Sequence, residues 1–208
     1  MRRTVRTAQE AGLLVIADGK RADVPVTAAA YAQALVGETP TPWGTVPGLG
    51  VDAFTTNPLL GGDALEPLLD AAEGAGAGVF ALVRTSNPGA SDVLDLETDA
   101  GPLHERIAAL VADRAERLAG STGLSGMGAV VGATEPAFLG RLRELMPAAI
   151  FLVPGVGAQG GRASDLGPAL GDDPASVLVA ASRSIAGADD PRAAAEKLRA
   201  EAWGLVGG

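Results

Sequence analysis

The 208 residues carry 25 Asp and Glu against 16 Lys and Arg, a formal net charge of −9, with 47% hydrophobic but only 3% aromatic residues, 29 Gly, 14 Pro and no cysteine. The acidic balance argues against nucleic acid and anionic membranes as partners, since each needs a basic face, and the lack of cysteine removes disulfides, thiolate metal sites and thiol nucleophiles together. With no signal-peptide pattern and no run of about 18 apolar residues, the expectation is a cytoplasmic protein of one domain, 1–208, whose core is built from Ala, Val, Leu and Ile.

In chain order, residues 2–12 (RRTVRTAQEAG) read as a helix, with Val5, Ala8 and Gly12 leading into a first strand, LLVIA (13–17), whose unbroken apolar run predicts full burial. A helix over 27–36, strand VDAFTT (51–56), a helix over 63–73 and strand GVFALV (78–83) follow. Then come a helix at PLHERIAALVADRAERLA (102–119), strand GAVVG (128–132), a helix over 135–146, strands AIFLV (149–153) and SVLVAA (176–181), and a last helix over 191–203. The 102–119 helix has the clearest stripe, Leu103, Ile107, Leu110, Val111 and Leu118, with Pro102 suited to a first helical position.

Strand and helix alternate without a hairpin signal, which predicts right-handed crossovers and a parallel sheet, open or closed into a barrel. The polar candidates stand just after strand ends: Asp18 and Lys20, Asn57, Thr85 to Asn87, Pro154 to Gly161, and Ser182 with Arg183. An open sheet gathers its site at one switch point, whereas a (β/α)8 TIM barrel draws on nearly every strand, so an α/β fold of barrel type is expected. About six βα units are visible. The chain begins inside a βα unit and ends in a helix and a loose GLVGG, so the expected barrel is incomplete at its N-terminus by about two strands, with two unpaired edges. A fold that is simply open is the alternative.

Asp18 and Lys20 are two apart on a strand and so project together, and Asp23 follows in a loop that can turn back or reach a neighbouring subunit. A carboxylate and an ammonium about 4 Å apart attract by ~4 kcal/mol before desolvation is subtracted. A lysine clasped by carboxylates stays protonated and suits delivery of a proton to a carbanion; a solvated charge cluster is the plain alternative. The stretch VPGVGAQGG (153–161) has four glycines whose N–H groups can converge on an anion, Gln159 can donate and accept, and Arg183 after the next strand offers a phosphate fork. A flexible loop beside an unrelated Arg is the alternative there. RTSNPG (84–89) can read the edge of a polar ring or simply turn the chain, and TTNPLLGG (55–62) is likewise either site lining or loop. His104, the one histidine, is expected at the surface of a helix start, which leaves no Ser-His-Asp triad or histidine metal site, and a metal-independent mechanism is expected.

VIADGKRADV with Thr27, TSNPG, VVGAT, VPGVGAQGG and SRSI, in this order, resemble orotidine 5′-phosphate decarboxylase, specifically the bacterial subgroup with a signature like IADxKRGD. The resemblance implies a (β/α)8 barrel, a homodimer with active sites at the interface, and conversion of orotidine 5′-monophosphate to uridine 5′-monophosphate without metal or cofactor. By position, Asp18 is similar to the carboxylate set beside the substrate's own, and Lys20 to the donor that protonates C6 after CO2 leaves. Asp23, with Val24 and Thr27, resembles the segment reaching the partner's site. Ser86 resembles the pyrimidine reader, Gln159 and Gly160 the closing phosphate loop that starts at Pro154, and Arg183 the phosphate fork. The family's ribose-contacting Asp and second array Lys come from strands expected upstream, and Ala22 stands where the family has Gly, which matters if that position needs φ > 0. Two further readings are a catalytically inactive nucleotide-binding relative and a related phosphosugar decarboxylase or aldolase.

Overall fold

A computed structural model describes residues 1–157, 159–170 and 173–205. Ala158 of the glycine-rich stretch and the last three residues of GLVGG therefore lie outside the described residues. The chain opens with α1 (Arg2–Glu10), β1 (Ile16–Arg21) and α2 (Pro25–Leu35), then a hairpin of β2 (Glu38–Thr41) and β3 (Gly44–Pro47). It continues through β4 (Ala53–Thr56), α3 (Gly62–Ala75), β5 (Gly78–Arg84) and a second hairpin of β6 (Glu97–Thr98) and β7 (Gly101–Pro102). α4 (Leu103–Ala112), β8 (Ser125–Val131), α5 (Pro136–Leu145), β9 (Ala149–Pro154), β10 (Val177–Ala180), α6 (Arg183–Ala186) and α7 (Pro191–Gly204) complete it.

β1, β4, β5, β8, β9 and β10 form one sheet in that order, with parallel pairing at β1/β4, β4/β5 and β9/β10. The order follows the sequence without reversing, which is the winding of a (β/α)8 TIM-type barrel and not of a doubly wound sheet with a switch point. The α/β class and the six strands expected from the sequence are what the structure contains.

The chain divides into two compact units, Met1–Leu82 with Asp113–Gly128, and Val83–Ala112 with Ala129–Gly208. In the first, α3 turns Leu65, Leu68, Leu69 and Ala72 inward at positions i, i+3, i+4 and i+7. It ends where Gly76 takes a left-handed φ of 65°, a conformation that glycine adopts without a Cβ penalty. α2 packs on α3, and its Ala28 and Ala32 are fully buried. In the second unit the interior holds Leu139, Leu142, Phe151, Val153 and Leu166. α7 starts at an Asp190 cap that accepts the Ala193 N–H at 2.9 Å, with Pro191 in the first turn.

Four expectations need correction. Leu13 and Leu14 are 62% and 84% exposed, and the first strand starts only at Ile16, so LLVIA is not buried. β1 is an end strand with β4 as its single neighbour, and hydrophobicity alone cannot cover such a strand. Two antiparallel hairpins exist where none was expected, and both close by the same device. Thr41 Oγ1 donates to Gly44 O and accepts from Trp43 N–H, and Thr98 Oγ1 does the same with Gly101 O and Ala100 N–H, the glycines standing at φ 116° and 95°. The 102–119 helix stops at Ala112, and Leu118 lies in a separate 3-10 turn. Its buried face is His104, Ile107, Ala108 and Val111, one residue round from the expected stripe, so His104 is 2% exposed and belongs to the interior.

Candidate active site

In the first unit, β1 brings Asp18 and Lys20 to one face, and the Lys20 ammonium donates directly to Asp18 Oδ1. These residues lie within β1 and not beyond it. Thr55, on the paired strand β4 and 2% exposed, completes the arrangement: its hydroxyl donates to Asp18 Oδ1 at 2.9 Å and accepts the Lys20 backbone N–H at 2.9 Å. Burial alone would raise the Asp18 pKa, but the hydrogen bonds from Lys20 and Thr55 outweigh it and hold the carboxyl below its ordinary value. Both β1 side chains stay half-exposed, at 57% for Asp18 and 39% for Lys20, so the pair faces outward while its anchor is buried.

Lys20 has φ 46°, alone among the described non-glycine residues in being positive, and the β1/β4 register shifts between Ala17 and Arg21. The pairing is irregular there, and the lysine stands at that irregularity. Ala22 does not have positive φ, so the condition under which the Gly-to-Ala departure at 22 would matter is not met. Asp23 is not brought to Lys20. Its Oδ1 accepts the Val24 N–H at 2.8 Å, and Asp18 is the one ion-pair partner of Lys20 among the described residues. Thr27 is half-buried in the first turn of α2.

In the second unit, Ser86 Oγ donates to Gln159 Oε1 at 2.6 Å, joining residues 73 apart in sequence. Gly132 allows this. A Cβ there would lie 2.6 Å from Ser86 N and 2.7 Å from Ser86 Cα, so no larger residue lets β8 pass this close to the β5 exit. Ser86, Asn87, Thr134, Glu135, Phe138 and Gln159 line a cavity of about 730 Å³ that also meets Arg84 and Asp95.

The glycine-rich loop does not point its amides at one spot. Gly157 N–H donates to Gly161 O at 2.8 Å, Gly160 N–H to Gly157 O at 2.9 Å, and Gly161 N–H to Gly155 O at 3.0 Å, so three of the four glycine amides are used inside the loop. Pro154 closes β9, and Gly160 is exposed with φ 94°. Arg183 opens α6, exposed and without a side-chain hydrogen bond or ion pair among the described residues, while Oγ of the next residue, Ser184, would stand 3.0 Å from a Cβ on Gly157. The loop and the start of α6 are thus adjacent.

Sequence reading placed Thr55 at the start of TTNPLLGG, site lining or loop, without singling it out as an organising residue, although its place in an apolar strand two residues before Asn57 was a usable sign. It also missed the group formed by buried Arg84 and His104 with the partly exposed Asp95. His104 Nδ1 lies 2.8 Å from Leu94 O and 3.2 Å from Asp95 Oδ1, and its ring meets Phe138 edge-on at 5.0 Å. Among the described residues no group of three or more His, Cys, Asp or Glu could hold a metal ion, and no helix is long and apolar enough to cross a membrane.

A family profile described as orotidine 5′-phosphate decarboxylase / HUMPS matches residues 2–198. The chain is 44% identical over 181 residues to the orotidine 5′-phosphate decarboxylase of Rhodopirellula baltica, covering 86% of this chain and 58% of that one. It is 42% identical to that of Deinococcus radiodurans, covering 96% and 71%. The solved Leishmania donovani OMP decarboxylase is similar at 33% identity and a TM-score of 0.77, over 100% of this chain and 74% of that one. The match spans little more than half the length of several relatives, 57% to 58%. By its profile match and these identities, the chain belongs to the orotidine 5′-phosphate decarboxylase / HUMPS family.

Proposed function

We propose that this chain, as a single barrel domain in the cytoplasm, decarboxylates orotidine 5′-monophosphate to uridine 5′-monophosphate, with Lys20 as the proton donor. The observation that carries this is the Lys20 ammonium held on Asp18, with Thr55 fixing both partners. Asp18 sits beside the carboxylate that is lost, so like-charge repulsion weighs on the bound substrate and is relieved as CO2 departs. The C6–carboxyl bond breaks with its electron pair left on C6, and Lys20 Nζ gives its proton to that carbon. No electron acceptor or metal takes part in this balance. Asp18, whose pKa lies below its ordinary value because Lys20 and Thr55 hydrogen-bond it, is charged at neutral pH and gives Lys20 a standing counter-ion from which to deliver the proton.

Ser86 and Gln159, already hydrogen-bonded, are proposed to read the pyrimidine and bridge to the phosphate. Pro154, Gly160 and Arg183, which has no ion-pair partner among the described residues, are proposed to hold the phosphate, whose binding energy supports the chemistry at the ring. Three glycine amides must leave their loop carbonyls if they are to serve the anion, which suits a loop that rearranges on binding. Asp23 and Thr27, next to exposed Val24 and Val26, are proposed to reach the site of a second copy in a homodimer.

The test is decarboxylation by the 208-residue chain and its Lys20→Ala variant, with uridine 5′-monophosphate affinity measured in parallel. Turnover should fall by about 10³ or more while affinity changes little. Near-normal turnover in the variant overturns the proton-donor role, and nucleotide binding without turnover in the parent favours the inactive binding relative.

A further inference from the structure

We infer that the Arg84–Asp95 ion pair is a positioning device for Ser86, acting through the Thr85–Ser86 peptide and not on a ligand. This rests on the reading of Ser86 as a nucleotide-facing hydroxyl. Arg84 is the last residue of β5 and is only 6% exposed. Its Nε and Nη2 hold Asp95 Oδ1 and Oδ2 at 2.8 and 2.9 Å, a two-pronged fork, and its third edge, Nη1, donates to Thr85 O at 2.5 Å. On the other side of the same serine, Thr134 Oγ1 donates to Ser86 O at 3.0 Å. Both carbonyls flanking the Ser86 N–Cα unit are therefore held by side chains, and the space beside its backbone is too small for a Cβ at Gly132.

The anchor itself is braced. Asp95 follows the 3-10 turn Pro88–Asp92, and Leu94 O accepts both the backbone N–H and the ring Nδ1–H of His104. A carbonyl can only accept, so Nδ1 carries the proton, and Asp95 Oδ1 shares it at 3.2 Å. Arg84 Cζ lies 4.8 Å from the Phe138 ring centre, which blocks one face of the guanidinium. The fork holds Asp95 below the ordinary carboxyl range, so the pair stays charged at neutral pH. Arg84 is buried while Asp95 is 25% exposed, so desolvation of the guanidinium offsets part of the attraction and solvent screens the rest, and geometry is the better account of what the pair supplies.

The experiment uses the full 208-residue chain. Arg84→Gln removes the fork, and Asp95→Asn weakens it without changing shape. In the ligand-free protein, amide exchange across 85–88 should speed up about tenfold in both variants, by loss of roughly one good hydrogen bond. Dissociation constants for uridine 5′-monophosphate should rise about tenfold, and Arg84→Gln with Ser86→Ala should bind no more weakly than Ser86→Ala alone, since Arg84 acts only through that residue. Unchanged exchange, or losses that add in the double variant, overturns the inference. If the parent fails to bind the nucleotide, the functional reading fails, and exchange in the ligand-free variants still decides the positioning role. If Arg84→Gln does not fold, Asp95→Asn answers the same question.

Discussion

β1 and β5 begin from much the same apolar vocabulary, LLVIA and GVFALV, and end up in opposite surroundings. β5 lies between β4 and β8 and is buried along most of its length, with Val79, Ala81 and Val83 fully covered, whereas Leu13 and Leu14 before the end strand β1 lie open. The contrast extends to the cations that follow. Lys20 is half-exposed and held by an adjacent carboxylate, and Arg84 is buried and held by Asp95 eleven residues on. A strand's burial is decided by how many neighbours it has, and its own hydrophobicity only permits it.

This contrast can be broken experimentally, and the largest effect belongs to the inner strand. Phe80→Ala, at a residue 4% exposed, should cost about 3–5 kcal/mol by denaturant unfolding. Next is Arg143, a buried guanidinium with no carboxylate partner among the described residues. It donates to the carbonyls of Ala169, Met146, Pro147, Ala149 and Ser176 and lies over the Phe151 ring at 3.8 Å. Burial pushes its pKa down to about 10, so it remains charged at neutral pH. Arg143→Met strands those acceptors and should cost about 3 kcal/mol or more, read from the same unfolding curves.

Thr55→Val joins the two regions, because Thr55 pairs with Phe80 across the sheet and holds Asp18 and Lys20. A loss of about 1–2 kcal/mol is expected, together with an Asp18 carboxyl that titrates at higher pH, read by carbon NMR. The sign follows from the depressed pKa. Asp18 ionisation favours the folded state above its unfolded pKa, near about 4, and that support fades as pH falls through the lower folded value; in the variant it fades at a higher pH. Smallest of all, Leu14→Ala should shift stability by less than about 0.5 kcal/mol; a loss near that of Phe80→Ala would show that β1 is covered after all.

What the sequence made legible was whatever repeats along it. Short apolar runs against helical spacing located five of the six sheet strands and overlapped the sixth, β1, at Ile16 and Ala17, and Pro25, Pro136 and Pro191 stand at the helix starts. What it hid depends on partners distant in the chain. The openness of Leu13 and Leu14 reflects a neighbour count, and the Ser86–Gln159 bond spans 73 residues. His104 was hidden by an offset of one residue: its register with Ile107, Ala108 and Val111 was present in the sequence, but the more apolar Leu103 drew the stripe away from it. The hairpins were hidden by strands of only two to four residues, although the shared Thr-x-x-Gly spacing at 41–44 and 98–101 marks both turns.

The backbone of Lys20 has one more lesson. A side chain at φ 46° costs about 1 kcal/mol relative to glycine, which is at ease there. Any selection for thermal robustness alone would drift toward glycine at this point of β1, and each such gain would delete the ammonium. The fold is thus kept slightly worse than it could be at one residue, and a library ranked by melting temperature would discard the very trait that makes β1 worth reading.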